Sequence, residues 1–272
     1  MSMRYSICNE TFQGWDWEPT CRHVARAGYE GIEIAPFTLA PDVREIAQDD
    51  RTRIRSAAEA NGLAVVGLHW LLVSPKGLSV TSPDPDLRRR TTEYLVALTQ
   101  FCADIGGGIM VFGSPAQRRI EDGDTYETAA QRYRECLLPA LDLADEHGIT
   151  LCIEPLPQPE ANFILTLDEA AEIIAQLGHP AAATILDVKS ASSEGRPIPE
   201  LVERHARLIA HVHANDANRR GPGFGDTDFR PILAALKRNR YDGFVSVEVF
   251  DYSPDPETIA SKSIQYMKEC EL

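Results

Sequence analysis

AATILDVKSASSEGRPIPELVERHARLIAHVHAND (182–216) decides the fold. It opens on an aliphatic, β-branched run (182–188) and passes through a Ser/Gly/Pro-rich connection into the helical pattern IPELVERHARL. It closes on LIAHVHAND (208–216), where apolar residues alternate with His211 and His213. Strand, helix and strand in so short a span make a βαβ unit, whose two strands lie parallel. Each strand also delivers a polar side chain to its C-terminal end: Asp187 from the first, His213 from the second.

The same period runs outward in both directions. Upstream, RYSICN (4–9), GIEIAP (31–36), LAVVGLHW (63–70), GGGIMVFGSP (106–115) and ITLCIEPL (149–156) read as strands, and FVSVEVF (244–250) follows downstream. Between them the helical patterns fall at 19–29, 42–61, 87–105, 126–147, 166–178 and 229–240, with a last one at 256–269. Thr166 and Glu169 form a capping-box pair, and Gly28, Gly62, Gly148 and Gly178 stand as stops. Eight strands alternating with eight helices in 272 residues predict α/β class and a (β/α)8 TIM barrel, one domain spanning 1–272. An open doubly wound sheet fits less well, since no GxGxxG follows the first strand.

Composition narrows the function. A formal charge of −14 opposes approach to phosphate backbones, and Lys and Arg form no long basic tract, so no nucleic-acid partner is expected. The apolar runs are too short for a membrane span, and MSMRYSICNE has no basic segment ahead of a long apolar core, so the expected compartment is the cytoplasm. Cys8, Cys21, Cys102, Cys136, Cys152 and Cys270 show no CxxC spacing and read as reduced, mostly core thiols. Self-association is left open.

In a TIM barrel the C-terminal strand ends converge on the active site. The polar residues there are Asn9, Glu33, His69, Ser114, Glu154, Asp187, His213 and Glu248. Strands five to eight supply Glu154, Asp187, His213 and Glu248, each in an apolar run where an unpaired charge would cost several kcal/mol or more. Successive separations of 33, 26 and 35 residues each amount to one βα unit, so the four side chains should face one point. Three carboxylates and an imidazole suit a divalent ion that accepts hard oxygen and one nitrogen, such as Mn²⁺, Mg²⁺ or Co²⁺, with Zn²⁺ as a further possibility, rather than a thiolate-rich structural zinc site. Any one of the acids could instead form an ordinary ion pair; four in register favour the ion.

These residues resemble the ligand set of the sugar phosphate isomerases and epimerases of the xylose isomerase-like TIM barrels, and among them the D-tagatose and D-psicose 3-epimerases. The resemblance covers the layout of nearly the whole chain and is specific from Ile149 to Phe250. It implies one divalent ion, usually manganese, held by Glu154, Asp187, His213 and Glu248. It further implies that Glu160, six residues after Glu154, and Arg219 of the loop NRRGPGFG contact substrate. Glu154 and Glu248 would flank a small keto sugar as an acid/base pair, one removing the proton beside the carbonyl and the other returning it to the opposite face. The chain departs from the family at strand six, where Asp-x-x-His is replaced by Asp187, Val188, Lys189, Ser190. Lys189 is then either a substituted substrate contact or general acid, or a solvent-facing loop lysine.

Three further readings stay open. His69 is a substrate contact or a rim histidine, and Glu33 binds a substrate hydroxyl or pairs with a neighbouring cation. Trp15, Trp17 and Trp70 either wall a sugar-like ring or pack the rim. The expected function is a metal-dependent isomerase or epimerase of a keto sugar or related small polyhydroxy carbonyl compound. The alternative is a lyase or dehydratase of the inosose, dehydroshikimate or keto-glycoside kind. A nuclease resembling endonuclease IV would need a histidine-rich zinc cluster and is disfavoured by Ser190 and by the charge; a sugar-binding barrel without catalysis would not need both Glu154 and Glu248.

Overall fold

The computed structural model describes residues 3–271. The eight apolar runs hydrogen-bond in chain order and close on themselves: β1 (Arg4–Cys8), β2 (Gly31–Ile34), β3 (Ala64–Leu68), β4 (Ile109–Phe112), β5 (Thr150–Ile153), β6 (Ala182–Asp187), β7 (Ile209–Ala214) and β8 (Phe244–Val247). Every neighbouring pair is parallel, including β1 with β8, so no sheet edge is left open. The helices are α1 (Trp17–Ala27), α2 (Gln48–Ala60), α3 (Pro85–Asp104), α4 (Tyr126–Glu146), α5 (Leu167–Leu177), the single turn α6 (Val188–Ala191), α7 (Ile198–His205), α8 (Phe229–Arg238) and α9 (Pro256–Cys270). No helix among the described residues is long and apolar enough to cross a membrane.

Helix boundaries follow local chemistry. Thr166 accepts from the Glu169 N–H at 3.2 Å as a cap should, while the Glu169 carboxylate reaches one residue further back, to the Leu165 N–H at 2.9 Å. Gly28 and Gly178 end α1 and α5 in the left-handed region, at φ 99° and 58°. The helix expected over 42–61 begins only at Gln48. Asp42 caps a separate 3-10 turn, Val43–Glu45, through the Arg44 N–H, and Ile46 is extended, which breaks the helix before it starts.

Period-two alternation decides what the barrel encloses. On β4 to β6, Val111, Cys152, Ala183 and Ile185 pack against one another as a cluster separate from the main core. Two positions beyond Cys152 stands Glu154, and two beyond Ile185 stands Asp187, so the strand register that fills the interior also aims the carboxylates at its upper end. Side chains of opposite parity, such as Phe112, Ile153, Leu186 and Val212, join the large core shared with the helices. All six cysteines are free thiols, and only Cys270 is not buried.

The β3–β4 seam is the narrowest, with two registered pairs, Gly67↔Ile109 and Leu68↔Met110. A Cβ on Gly67 would lie 1.8 Å from the Ile109 carbonyl oxygen, whereas one on Gly108 would meet nothing within 4 Å. Gly67→Ala should therefore destabilise the protein by about 1–3 kcal/mol or more in urea unfolding. Gly108→Ala should be neutral or stabilising, by up to ~1 kcal/mol.

Candidate active site

Glu154, Asp187, His213 and Glu248 each offer a ligand atom, and those atoms all lie within 4.8 Å of one another, with all four side chains buried. Gly113 at the end of β4 makes room for this: a Cβ there would sit 1.8 Å from Glu154 Oε2. The Ser190 N–H donates to Asp187 Oδ1 at 2.6 Å, which starts α6 on the strand-end aspartate. Asn215, just past β7, donates its Nδ2 to Asp187 Oδ2 and to Glu248 Oε2, at 2.5 and 3.3 Å, and accepts the Lys189 N–H at 2.8 Å. Trp70 Nε1–H donates to Glu248 Oε1 at 2.9 Å.

The electrostatics of this group are those of crowded acids. Burial, and then the neighbouring Asp187 and Glu248, push the Glu154 carboxyl up to about 8, with the wholly buried Arg118 acting in the opposite sense. Burial and then Glu248 raise Asp187 as well. Burial also works against ionisation of Glu248, but His213, His69 and the Trp70 N–H hold it down, to about 2. His213 Nδ1 lies 3.2 Å from Glu248 Oε2 and 4.0 Å from Glu154 Oε1, yet makes no hydrogen bond. Three mutually repelling carboxylates and a buried ring nitrogen aimed among them fit a divalent cation, and these four residues are ones that could hold it.

Above the four residues opens a cavity of about 390 Å³, lined among others by Trp70, Glu154, Glu160, Arg219, Glu248 and Phe250. Its shape depends on the loop after β7. Asp216 staples that loop, accepting from the Asn218 and Thr227 N–H groups, and the Arg219 carbonyl accepts from the N–H groups of Phe250 and Asp251 beyond β8. The Arg219 guanidinium consequently lies 5.4 Å from the Phe250 ring centroid. Among the described residues, Trp70 and Arg219, at φ 54° and 71°, are two of the four non-glycine residues with positive φ, a conformation that costs on the order of 1–3 kcal/mol each and gathers at functional sites.

The structure separates the expected substrate contacts. Glu160 and Arg219 line the cavity. Lys189 is neither solvent-facing nor in a loop. It sits on α6, 7% exposed, with Nζ 2.8 Å from both Glu160 oxygens and 5.0 Å from the Phe250 ring. Glu33 and His69 must be corrected, because both are turned into the barrel interior at 0% exposure. His69 Nε2 bonds Glu10 at 2.9 Å, and Glu33 bonds His211 and His213, so neither meets the cavity. Of the tryptophans only Trp70 lines it; Trp15 and Trp17 face a separate cleft near Phe12 and Leu39. Asn215, Gly113 and Arg118 were not singled out from the sequence. The polar alternation His211, His213, Asn215 was the available signal for the first, and nothing local marks the other two.

A closed parallel (β/α)8 barrel with an acidic, histidine-bearing cluster at the C-terminal ends of β5 to β8 defines the class. The chain belongs to the xylose isomerase-like TIM barrels, whose family model matches residues 21–270. It is similar to the D-psicose 3-epimerase of Ruminiclostridium cellulolyticum, 25% identical over 245 residues that cover 86% of this chain and 80% of that protein. Among solved structures it resembles a 3-keto-D-glucoside 4-epimerase from E. coli, with a TM-score of 0.86, 19% identity and coverage of 99% and 100% of the two chains. It also resembles the D-psicose 3-epimerase with D-tagatose from Clostridium cellulolyticum H10, at TM-score 0.86 and 19% identity, covering 98% and 99%.

Two measurements check the site. Mn²⁺ at a hundred times its Kd should stabilise the protein by about 2.7 kcal/mol in thermal or urea unfolding, and EDTA should reverse the effect. Gly113→Ala, which drives a methyl into Glu154, should weaken Mn²⁺ binding in calorimetric titration while the metal-free fold persists.

Proposed function

We propose that this protein is a divalent-metal-dependent epimerase or isomerase of a keto sugar or a related small polyhydroxy carbonyl compound. The observation that carries this reading is that Glu154 and Glu248 belong to the four-donor cluster and also line the cavity above it. Manganese is the ion we favour, on the resemblance to the epimerase family; the donor set of three carboxylates and one imidazole suits it and also Mg²⁺ or Co²⁺. When bound, the ion would supply fixed positive charge against which the carbonyl oxygen is polarised and developing negative charge is stabilised.

The side chains do the rest. One of Glu154 and Glu248 takes the proton from the carbon next to the carbonyl, and the other delivers a proton to the opposite face. Arg219 and Glu160 hold substrate hydroxyls, and Lys189 keeps the Glu160 carboxylate in place through its two-pronged contact. Trp70 and Phe250, with ring centroids 6.2 Å apart, give the sugar's C–H faces an apolar surface. The similarity to relatives named as ketose and keto-glycoside epimerases supports the same substrate class.

The second reading, a lyase or dehydratase, draws on Lys189. Its ammonium lies beside a cavity-lining carboxylate, where it could protonate a departing hydroxyl or glycosyl oxygen. Incubating the Mn²⁺-loaded protein in D2O with ketoses, keto-inositols and 3-keto-glycosides separates the two. Epimerisation gives an isomer of unchanged formula carrying deuterium next to the carbonyl, whereas elimination gives an unsaturated ketone absorbing in the ultraviolet. Glu154→Gln and Glu248→Gln should each slow exchange of that carbon-bound hydrogen by roughly 10²–10⁴-fold. Undiminished exchange in Glu248→Gln would remove Glu248 from the acid/base pair.

A further inference from the structure

The polar residues beneath the four-donor cluster take no part in the reaction just described, yet they are as deeply buried as any in the protein. Glu33, on β2, is 0% exposed, and so are His69 and His211, while His213 is 1% exposed. Glu33 Oε2 lies 2.8 Å from His211 Nε2, and Oε1 lies 3.0 Å from His213 Nε2. Its partner His213 stands 180 residues further along the chain. His69 closes the group from the side: its Nε2 bonds Glu10 at 2.9 Å, its Nδ1 stands 3.6 Å from Glu33 Oε1, and its ring meets His213 edge-on at 5.7 Å.

We infer that Glu33 is a positioning residue for the proposed metal centre: by accepting a hydrogen bond from His213 Nε2, it leaves Nδ1 as the nitrogen with a lone pair among the carboxylates. The inference rests on reading the four-donor cluster as a cation site. An ionised carboxylate can only accept, so a ring nitrogen 3.0 Å from it carries the hydrogen. A neutral imidazole has one N–H, and once Nε2 holds it, Nδ1 is the free base. Nδ1 is the ring atom that faces Glu248 and Glu154 and has no hydrogen-bond partner.

The arrangement is that of a carboxylate behind a histidine ligand, in which the outer group fixes the ring's tautomer and orientation and makes the inner nitrogen a better donor. His211 occupies the other Glu33 oxygen, so the carboxylate cannot swing away from His213 without stranding a second buried ring. A glutamine in its place offers one acceptor and one donor instead of two acceptors, and carries no charge. It would either push the His213 hydrogen onto Nδ1, the ligating atom, or keep the tautomer with a much weaker hold on the ring.

The test pairs metal affinity with a direct view of the proton. In wild-type protein labelled with ¹⁵N-histidine and loaded with diamagnetic Zn²⁺, the His213 hydrogen should appear on Nε2 in long-range ¹H–¹⁵N spectra. Glu33→Gln should raise the Kd for Mn²⁺ and Zn²⁺ by about 10–100-fold in chelator competition, measured below the variant's own metal-free unfolding temperature so that any loss of stability from the buried network is kept apart from the loss of affinity. A Kd for Glu33→Gln within about twofold of wild type, or a His213 hydrogen on Nδ1 in the Zn²⁺-loaded wild-type protein, overturns the inference. If Glu33→Gln does not fold, the wild-type spectrum decides alone. If the wild-type protein binds neither ion, the cation-site reading fails, and the inference about Glu33 falls with it.

Discussion

Three carboxylates packed at the mouth of a barrel repel one another, and that repulsion organises everything around them. Glu154, Asp187 and Glu248 are buried within a few ångströms of each other, where the medium screens charge far less than water does. The fold answers with every available positive or donor group. His213 faces two of the acids, Asn215 bridges Asp187 and Glu248, Trp70 donates to Glu248, and the Arg118 charge reaches Glu154. None of these balances three ionised acids, so the Glu154 carboxyl is pushed up to about 8, and the geometry they leave is a set of oxygen atoms around one imidazole nitrogen.

This constraint propagates outward in layers. Beside it, Glu33, Glu10, His69 and His211 form a buried polar network in which each carboxylate has a histidine partner, set against the apolar interior cluster of β4 to β6. Buried networks of this kind hold a unique geometry when satisfied and are costly when broken. Above it, the cavity-lining Arg219 is locked through backbone bonds to Asp216 and to the chain after β8, and Lys189, which holds the cavity-lining Glu160, is fixed by the Asn215 side chain. The strained backbones of Trp70 and Arg219 place an indole and a guanidinium where relaxed residues would not put them.

How much of this was legible beforehand depends on the range of the signal. The barrel was, because it rests on a repeated local pattern of apolar strand, helix and stop residue. The four-residue cluster was, because one βα unit between successive strand ends is a spacing that can be counted. For Glu33 and His69 the substrate-contact reading gives way to the internal-pairing one, because a strand-end position tells which end of the barrel a residue occupies but not whether its side chain reaches the cavity. Both are fully buried, and their partners are far away in sequence: His211 and His213 on β7 for Glu33, and Glu10 just after β1 for His69. The helix expected from residue 42 failed for a local reason, the Asp42-capped turn, that the apolar periodicity overrode.

The sequence by itself determined the class of fold, the parity of each strand and therefore which side chains look inward, since a two-residue period admits only two faces. It also contained the departure at Lys189 and Ser190 from the family pattern at strand six. Only the tertiary structure decided that Lys189 grips Glu160 under the Phe250 ring, that Gly113 yields space to Glu154, and that Glu33 holds two histidines at once. Those contacts join residues on different strands and loops, and closing the barrel is what brings them within hydrogen-bonding distance.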